Sequence, residues 1–323
     1  MATNVTAWPR KTRELHNHHF DSTVWIDFPV PTARRDDATY AKSGTIWTEQ
    51  IVAQLVFGGQ EDIDVGRLSP WLDLRVTPRE AKLATLEAQQ HRRLIKTHLP
   101  VDALVFSPAA KYIYVGRDGR DVVWSLYNHH VNATEDWHRL LNDTPGRIGP
   151  PIGRPPASIR QFFLEWLEGD GHPFWSLWEN VSSWWAIRHL PNLLLLHFAA
   201  LKRDLPGQMR RVAAFLGITL DAESFDAAVR HSSFEDMKTH AEKCAPRGGR
   251  FLQGGPRTFI HKGTNRRWRD VLNADDCRRY ETAAKERLGR RCARWLAEGG
   301  SPDQETCSRP SSGTHPEQAE RGR

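Results

Sequence analysis

The sequence predicts an α/β fold, in which helices flank both faces of a central, mostly parallel β-sheet. Short apolar runs rich in valine, isoleucine and tyrosine alternate with longer segments of helical periodicity, and this alternation is typical of βα units. With 323 residues and 39% hydrophobic content, the chain is long enough to bury a full core. The expected strands are DDATYAKSG (36–44), which runs into a turn, RRLIKTH (92–98), KYIYVGR (111–117) and NLLLLHF (192–198).

Helical periodicity fills the stretches between these strands. Apolar residues recur at helical spacing over 45–57, and those of 121–131 form one stripe. Further helices are expected over 158–169, 176–190, 206–217 and 274–298. After Glu298 the composition changes to Gly, Ser, Pro, Gln and charged residues, which cannot bury enough apolar area to become ordered. We therefore expect a partly ordered N-terminal extension (1–30), one domain (31–298) and a disordered tail (299–323).

Charge and cysteine content narrow the function only slightly. The formal net charge of +6 favours anionic partners in general, without choosing among a nucleotide, a nucleic acid and a membrane surface. The four cysteines all lie in the last quarter of the chain and form no C-x-x-C pair that would suggest a metal or redox site. We interpret them as reduced thiols of a cytoplasmic protein.

The first residues carry no targeting signal that we can identify. They lack the apolar stretch of a signal peptide, and no run of about 18 apolar residues occurs anywhere in the chain, so no membrane-spanning segment is expected. The HNHH cluster (16–19) could bind a metal ion, but its composition favours a mobile polar lead-in.

The first chemical motif is the turn in TYAKSGTIW (39–47). A strand ends there, Lys42, Ser43 and Gly44 make the turn, and a helix begins near Thr45. Such a turn directs free backbone N–H groups and the positive end of a helix dipole at one point, which favours an anion. The Walker A pattern is absent. An ordinary turn with a Ser or Thr helix cap is the alternative interpretation.

The second motif is a lysine and a histidine in HRRLIKTHLPVD (91–102). Residues two apart on a strand face the same way, so Lys96 and His98 can meet one ligand. A lone histidine is more often a buried structural residue. The lysine beside it and the anion-binding turn favour a functional site instead.

Two more basic segments complete the set. In YVGRDGRDVVWSLYNHH (114–130), Arg117 follows a strand and Ser125 lies two helical turns further on. The planar guanidinium of Arg117 suits bidentate binding of a phosphate. The loop FIHKGTNRRWRD (259–270) brings Lys262, Gly263 and Arg267 close together, although a solvated basic loop is the simpler interpretation.

Taken together, these segments resemble the cytosolic-type sulfotransferase family. TYAKSGTIW, IKTHLP, YIYVGRDGRDVVWSLYNHH and HKGTNRRW occur in the order and spacing of that family, from about Thr39 to the end of the last helix. The resemblance implies a P-loop-like sulfotransferase architecture. It also implies transfer of a sulfuryl group from 3′-phosphoadenosine 5′-phosphosulfate (PAPS) to a hydroxyl or amine, without a metal.

The resemblance also implies donor-binding residues. The turn would hold the 5′-phosphosulfate, where Ile46 stands for a usual threonine and contributes only its backbone N–H. His261 stands for a usual arginine, so binding of the 3′-phosphate at that corner is expected to be weaker. Phe174 would take the position of an adenine-stacking tyrosine. The full set implied by the resemblance is Lys42, Ser43, Gly44, Thr45, Ile46, Trp47, Arg117, Ser125, Phe174, Ser232, Phe234, His261, Lys262 and Gly263.

The expected mechanism needs a base on the acceptor side with a pKa near neutrality, and His98 fits that role. Lys42 would stabilise the charge that develops on the leaving oxygen. Lys96 would neutralise the sulfuryl oxygens, and the resemblance suggests that Ser125 holds Lys42 away from the donor until the acceptor arrives.

Two other classes of protein share some of these features. A P-loop-type small-molecule kinase would have the sheet and the turn, but it should carry a Walker motif and a metal-binding carboxylate. A non-catalytic protein that binds nucleotides or nucleic acid would use the basic loops, with steep salt dependence. Neither class predicts His98 beside Lys96.

The acceptor is the least defined part of the prediction. Segment 59–92, with SPWLDLRV, is expected to shape a pocket for a small, largely apolar hydroxyl compound, and a phenol, a sterol-like alcohol, a lipid or a sugar remains open. We expect no nucleic-acid or membrane partner. Family members often form weak homodimers through a C-terminal segment, which KGTNRRWRDVLNADD (262–276) overlaps. Five tryptophans could line such a pocket, but their helical spacing favours core packing for most of them. They are Trp166, Trp175, Trp178, Trp184 and Trp185.

Overall fold

A four-stranded parallel sheet organises the chain, with the strands in the order β2–β1–β3–β4. The structure is a computed structural model that describes residues 7–25 and 34–302. All four predicted strands are present within these ranges. Their bounds are Arg34–Thr39 (β1), Arg93–Thr97 (β2), Lys111–Gly116 (β3) and Leu193–His197 (β4).

Helices connect the strands and cover both faces of the sheet, as the sequence predicts. The α-helices are Thr45–Val56 (α1), Val65–Leu68 (α2), Arg79–Glu87 (α3), Gly119–Val131 (α4), Glu135–Asp143 (α5), Ile159–Glu168 (α6), Leu177–Ala186 (α7), Phe198–Arg203 (α8), Leu205–Leu216 (α9), Ala222–His231 (α10), Phe234–Thr239 (α11), Ala241–Cys244 (α12), Pro256–Phe259 (α13) and Ala274–Glu298 (α14). Short 3₁₀ turns occur at Ser22–Trp25, Val101–Ala103, Pro246–Gly249 and Arg267–Asp270.

The last helix differs from the prediction of one continuous helix over 274–298. It is interrupted at Gly289, whose φ of 73° and ψ of 158° are not helical. Glycine adopts positive φ without the steric cost that a side chain adds. The apolar stripe continues beyond this point, because Cys292, Trp295 and Leu296 are still buried.

Successive side chains of β3 point to opposite faces of the sheet and pack in two separate hydrophobic cores. Tyr112 and Tyr114 face the larger core, which α4, α6, α7 and α14 cover, whereas Ile113 and Val115 face the core under α1, α9 and α10. Both faces of a parallel sheet are normally covered by helices, so its strands are apolar on both sides. The predicted core tryptophans lie in the larger core, with Trp166 and Trp184 fully buried.

The N-terminal stretch packs on this domain, which corrects the expectation of a mobile polar lead-in over 16–19. His18 and His19 are only 5% and 4% exposed, and Phe20 is fully buried. Phe20 pairs with Leu74 in an antiparallel bridge. The sequence did not show that apolar contacts of Phe20 would draw its histidine neighbours inside.

The described ranges contain neither a group of side chains suited to a metal ion nor a membrane-spanning helix. Across residues 7–25 and 34–302, no three His, Cys, Asp or Glu side chains are grouped so that they could hold a metal ion. None of the helices in the same ranges has both the length and the hydropathy needed to cross a membrane. Most of the predicted tail, 303–323, lies outside the described residues.

Candidate active site

The carboxyl ends of the four strands open into one cavity of about 750 Å³. Each strand is followed by a residue that lines this cavity: Lys42 in the turn after β1, His98 after β2, Arg117 after β3 and Phe198 after β4. Ligands of open α/β sheets bind at this edge because the connecting loops all begin there. The sheet therefore brings together residues that are far apart in the sequence.

The predicted anion-binding turn follows β1, and α1 begins at Thr45 as expected. Lys42 has a φ of 65° and Gly44 a φ of 123°. A Cβ added at Gly44 would lie 3.0 Å from the ring of Phe198, so the turn passes close to the start of α8. Ser43 is 1% exposed and does not line the cavity. The side chain of Ser43 is thus the part of the predicted turn that the fold keeps out of the cavity.

Arg117 supports this turn from β3. One of its guanidinium nitrogens, Nη1, donates to the carbonyl oxygen of Lys42 at 2.9 Å, and Nη2 donates to Asn265 at 3.1 Å. The guanidinium carbon lies 4.1 Å from the ring centroid of Phe198. Burial lowers the pKa of Arg117 to about 10, which still leaves a full positive charge at neutral pH.

Lys42 is the second cation of this corner. Burial and, to a smaller extent, the nearby charge of Arg117 together lower its pKa to about 7. Its ammonium lies 4.1 Å from the ring centroid of Phe259. Ser125 lines the same cavity, but among the described residues no hydrogen bond joins it to Lys42.

An aromatic wall stands next to the turn. The indole nitrogen of Trp47 donates to the carbonyl oxygen of Ser232 at 2.8 Å, which ties α1 to the end of α10. The ring of Phe198 meets Trp47 edge to face at 5.3 Å. Phe234 packs against Gly263, where an added Cβ would lie only 2.7 Å from its ring. We call Trp47, Phe198 and Phe234 the aromatic wall.

Phe174, which was predicted to stack on adenine, does not belong to this wall. Its ring stacks on His19 with centroids 4.2 Å apart and also contacts His130 and Trp175. Phe198 contacts Trp47 and Arg117 instead. The signal for Phe198 was available in the sequence, because it directly follows the fourth strand at the edge where the other three contribute site residues.

Lys96 and His98 both line the cavity, as their alternation on β2 predicts. The Nδ1 atom of His98 lies 2.7 Å from the carbonyl oxygen of Thr39, so Nδ1 carries the ring proton and donates it. The lone pair of the neutral ring is then on Nε2. Burial lowers the pKa of His98 to about 3 against the opposing effect of the Thr39 hydrogen bond. This value lies below the near-neutral one expected of a general base.

Lys96 has a partner that the sequence argument missed. Its ammonium pairs with the carboxylate of Glu49 at 3.1 Å, and the two side chains are 10% and 1% exposed. Burial raises the pKa of Glu49, while the Lys96 charge opposes that rise. The only signal in the sequence was an acidic residue on the apolar helix α1.

The loop after α13 closes the cavity. His261, Lys262, Gly263 and Arg267 all line it, as predicted. Burial lowers the pKa of His261, and the charges of Arg267, Lys262 and Lys238 add to the effect. His261 is therefore neutral at pH 7, unlike the arginine that the resemblance implies at this position.

The far end of the cavity is largely apolar. The predicted segment 59–92 contributes Trp71, whose ring lies 4.8 Å from that of His98, together with Leu74 and Val76. Trp137 also lines the cavity, and its ring lies 6.0 Å from that of His19. His19 and His129 also line this end, and neither was predicted to be part of a site. Of the other predicted residues, Thr45 and Ile46 line the cavity, whereas Ser232 is fully buried outside its wall.

A sequence model of the sulfotransferase domain matches residues 38–291 of the chain. The chain belongs to the sulfotransferase family. Among its relatives, this sulfotransferase is 32% identical to a glycolipid sulfotransferase of Mycobacterium bovis over 262 residues, which covers 74% of this chain and 80% of that one. It is 28% identical to sulfotransferase 1A1 of Rattus norvegicus, with coverage of 77% and 84%.

Solved structures share the fold of this sulfotransferase. A mouse sulfotransferase complexed with PAP aligns with a TM-score of 0.64 at 20% identity, covering 85% of this chain and 90% of that one. Retinol dehydratase in complex with androsterone and PAP aligns with a TM-score of 0.60 at 23% identity, covering 82% and 83%. The predicted P-loop-like α/β fold, the enzyme class and PAPS as the family's sulfuryl donor are confirmed. None of these relatives supports a kinase or a non-catalytic nucleic-acid binder.

Proposed function

We propose that this sulfotransferase moves the sulfuryl group of PAPS to a hydroxyl, or an amine, of a small acceptor with a largely apolar body, and that His98 is the general base. The observation that carries this proposal is the single cavity at the carboxyl edge of the sheet, which Lys42, Arg117 and His98 all line. The apolar far end supports the choice of acceptor. A lipid acceptor with a sugar hydroxyl is in keeping with the glycolipid sulfotransferase among the relatives.

The hydrogen bond from His98 to Thr39 supports the role of base. It leaves Nε2 as the basic nitrogen of the ring, and the amide of Asn180 donates to the His98 carbonyl at 2.9 Å to fix the backbone. The acceptor oxygen attacks sulfur as its proton moves to Nε2, and the bond from sulfur to the phosphate oxygen breaks with its electron pair, releasing PAP. An anionic donor nearby raises the pKa of His98, because negative charge favours the imidazolium.

The donor end of the cavity fits a nucleotide with two anionic groups. Arg117 and Lys42 supply buried positive charge beside the turn. A buried polar atom of this end, Nε of Arg117, has no hydrogen-bond partner among the described residues. The aromatic wall offers a flat surface for a base, since base–aromatic stacking is worth about 1–3 kcal/mol. We assign the adenine to Trp47, Phe198 and Phe234, with the phosphates at the turn, Arg117 and the Lys262 loop.

Lys42 and Lys96 stabilise the negative charge of the transition state at two different places. Lys42 stabilises the leaving oxygen, and Lys96 faces the sulfuryl oxygens. The Glu49 partner holds Lys96 in place. Ser125 lies on α4 and lines the same cavity as Lys42, and we retain it as the residue that positions Lys42.

Several broader predictions remain part of the proposal. The free thiols Cys244, Cys277 and Cys292 are in keeping with a cytoplasmic location. We retain 31–298 as the sulfotransferase domain, with 1–30 as an N-terminal extension and 299–323 as a tail. We also retain a weak homodimer through 262–276 and the absence of a nucleic-acid or membrane partner.

Incubation of the purified protein with ³⁵S-labelled PAPS and a panel of 2-naphthol, androsterone, retinol and octyl β-D-glucoside tests this function. We expect labelled product from at least one acceptor. His98→Gln should lower kcat by about 10² to 10⁴ while PAP binding, measured by calorimetry, persists.

His189→Gln, at an exposed histidine outside the cavity, is the matched control. Turnover by His98→Gln equal to that of His189→Gln would remove His98 from the mechanism. Failure of the wild-type protein to bind PAP would contradict the sulfotransferase function itself.

A further inference from the structure

His19 is a buried polar side chain whose polar atoms have nothing to bind. It is 4% exposed, and neither of its ring nitrogens has a hydrogen-bond partner among the described residues. Buried polar groups in proteins are nearly always hydrogen-bonded, so each exception calls for an explanation. Here the ring lines the cavity, which indicates that its partner arrives with a ligand.

The position of His19 relates it to the acceptor rather than to the donor. Its ring centroid lies 6.4 Å from that of Trp71 and 6.4 Å from that of Trp175. The His98 ring lies 4.8 Å and 5.8 Å from the same two indoles. Both imidazoles therefore border one aromatic patch. A molecule whose reacting hydroxyl meets His98 can present a second polar group to His19.

His129 is a second unpartnered imidazole at the same end of the cavity. It lies one helical turn beyond Ser125 on α4 and lines the cavity. Its Nδ1 atom is buried and has no hydrogen-bond partner within the described ranges. The rings of His129 and His19 lie 5.6 Å and 6.0 Å from Trp137. Both imidazoles thus lie next to Trp137 and line the same cavity.

The chemical state of these imidazoles selects their ligand. Burial holds the pKa of His19 and that of His129 well below the ordinary value, and neighbouring cations and histidines add to the effect. Each ring is therefore neutral at pH 7, with one N–H donor and one lone-pair acceptor. A hydroxyl group also donates once and accepts, so hydroxyls match neutral imidazoles, whereas a carboxylate or an ammonium satisfies only one of the two roles.

We propose that His19 and His129 bind hydroxyl groups next to the one that is sulfated, so that the preferred acceptor carries a polyhydroxylated head group, such as a hexose ring, on an apolar body. The apolar residues around the head group, with Trp71, Leu74 and Val76 among them, accommodate the rest of the molecule. A few polar groups in an otherwise apolar pocket commonly fix the orientation of a ligand. The inference rests on the proposed sulfotransferase function and specifies its acceptor.

Two probe pairs test the inference. Octyl β-D-glucoside, kept below its micelle concentration, and 2-naphthol are compared as sulfuryl acceptors with labelled PAPS. Octyl β-D-glucoside and 1-octanol are compared as ligands by quenching of tryptophan fluorescence, which Trp71 and Trp137 in the cavity lining should report. We expect the wild-type protein to sulfate the glucoside with the higher kcat/KM and to bind it more tightly than octanol.

His19→Phe keeps an aromatic ring and removes both nitrogens. It should lower the ratio of kcat/KM for the glucoside to kcat/KM for naphthol at least tenfold and abolish the binding preference for the glucoside over octanol. His19→Gln, which keeps a donor and an acceptor, should retain part of both. His129→Phe should act in the same direction, and His189→Phe, outside the cavity, is the control. PAP calorimetry verifies that each variant is folded.

The outcomes are separable. Unaltered ratios and preferences in His19→Phe, or a wild-type protein that sulfates naphthol and ignores the glucoside, overturn the inference and leave the sulfotransferase function intact. Loss of PAP binding and of all transfer in the wild-type protein would instead contradict the function. If PAP binds and neither acceptor is sulfated, the fluorescence preference alone decides, and its absence overturns the inference.

Discussion

The ring of Phe198 meets the ring of Trp47 edge to face, with centroids 5.3 Å apart. Phe198 is the first residue after the fourth strand, and Trp47 is the third residue of the helix that follows the first strand. Two chain segments 150 residues apart thus build one aromatic wall beside Arg117, whose guanidinium lies over Phe198. We therefore propose this wall, rather than Phe174, as the adenine contact.

Phe198→Ala and Phe174→Ala form a matched pair that tests this assignment. Because base stacking on an aromatic ring is worth about 1–3 kcal/mol, Phe198→Ala should weaken PAP binding by about tenfold or more in calorimetry. Phe174→Ala should leave PAP affinity within about threefold of wild type, since its ring stacks on His19 at the acceptor end. The opposite order would restore Phe174 as the adenine contact.

The depressed pKa of Lys42 predicts pH-dependent donor binding. Lys42 is charged below its pKa of about 7 and neutral above it, so attraction for an anionic ligand is present at low pH and is lost as the pH rises. PAP affinity should fall by up to about tenfold per pH unit between about pH 7 and about pH 9. Calorimetry across this range measures the slope.

Two lysine variants serve as references for that slope. Lys42→Met should flatten it, because the titrating charge is gone. Lys285→Met, at an exposed position of the last helix, should keep the wild-type slope. Equal slopes for wild type and Lys42→Met would assign the pH dependence to another group.

Because Lys96 and Glu49 form a buried ion pair, substitutions at the two positions should be strongly coupled in their effect on stability. Removing one partner of a buried ion pair typically costs about 3–5 kcal/mol, because the other charge is left unpaired. Glu49→Gln should therefore lower the free energy of unfolding by about 3 kcal/mol in urea titrations. The double variant Glu49→Gln with Lys96→Met should lose less free energy of unfolding than the sum of the losses in the two single variants. Simple additivity would show that the pair is not energetically coupled.

His261 predicts a gain of donor affinity on substitution. It is neutral and lines the donor side of the cavity near Lys262, where the resemblance implies an arginine. His261→Arg adds a charge-assisted hydrogen-bond donor and should tighten PAP binding by about tenfold. His240→Arg adds the same charge on a half-exposed side chain outside the cavity. A similar gain from both variants would indicate a general charge effect.

Much of this site could be predicted because its parts are local. The turn around Lys42, the alternation of Lys96 and His98, and Arg117 at a strand end each follow from a few consecutive residues. The errors concern residues whose role depends on distant neighbours. The sequence does not show, for example, which aromatic ring returns to the Trp47 helix, and in the structure that ring is Phe198, whereas Phe174 stacks on His19.

The amino-acid sequence by itself determined the parallel sheet, its helical layers and the cationic groups at its carboxyl edge. Hydrophobic periodicity and the ends of strands can be recognised from short runs of consecutive residues. Only the tertiary structure decided that Glu49 would neutralise Lys96 and that His19 would be buried at the acceptor end. Both depend on packing between segments that are remote in the chain. Which side chains meet there is set by the burial of apolar neighbours such as Phe20, and no local pattern encodes that choice.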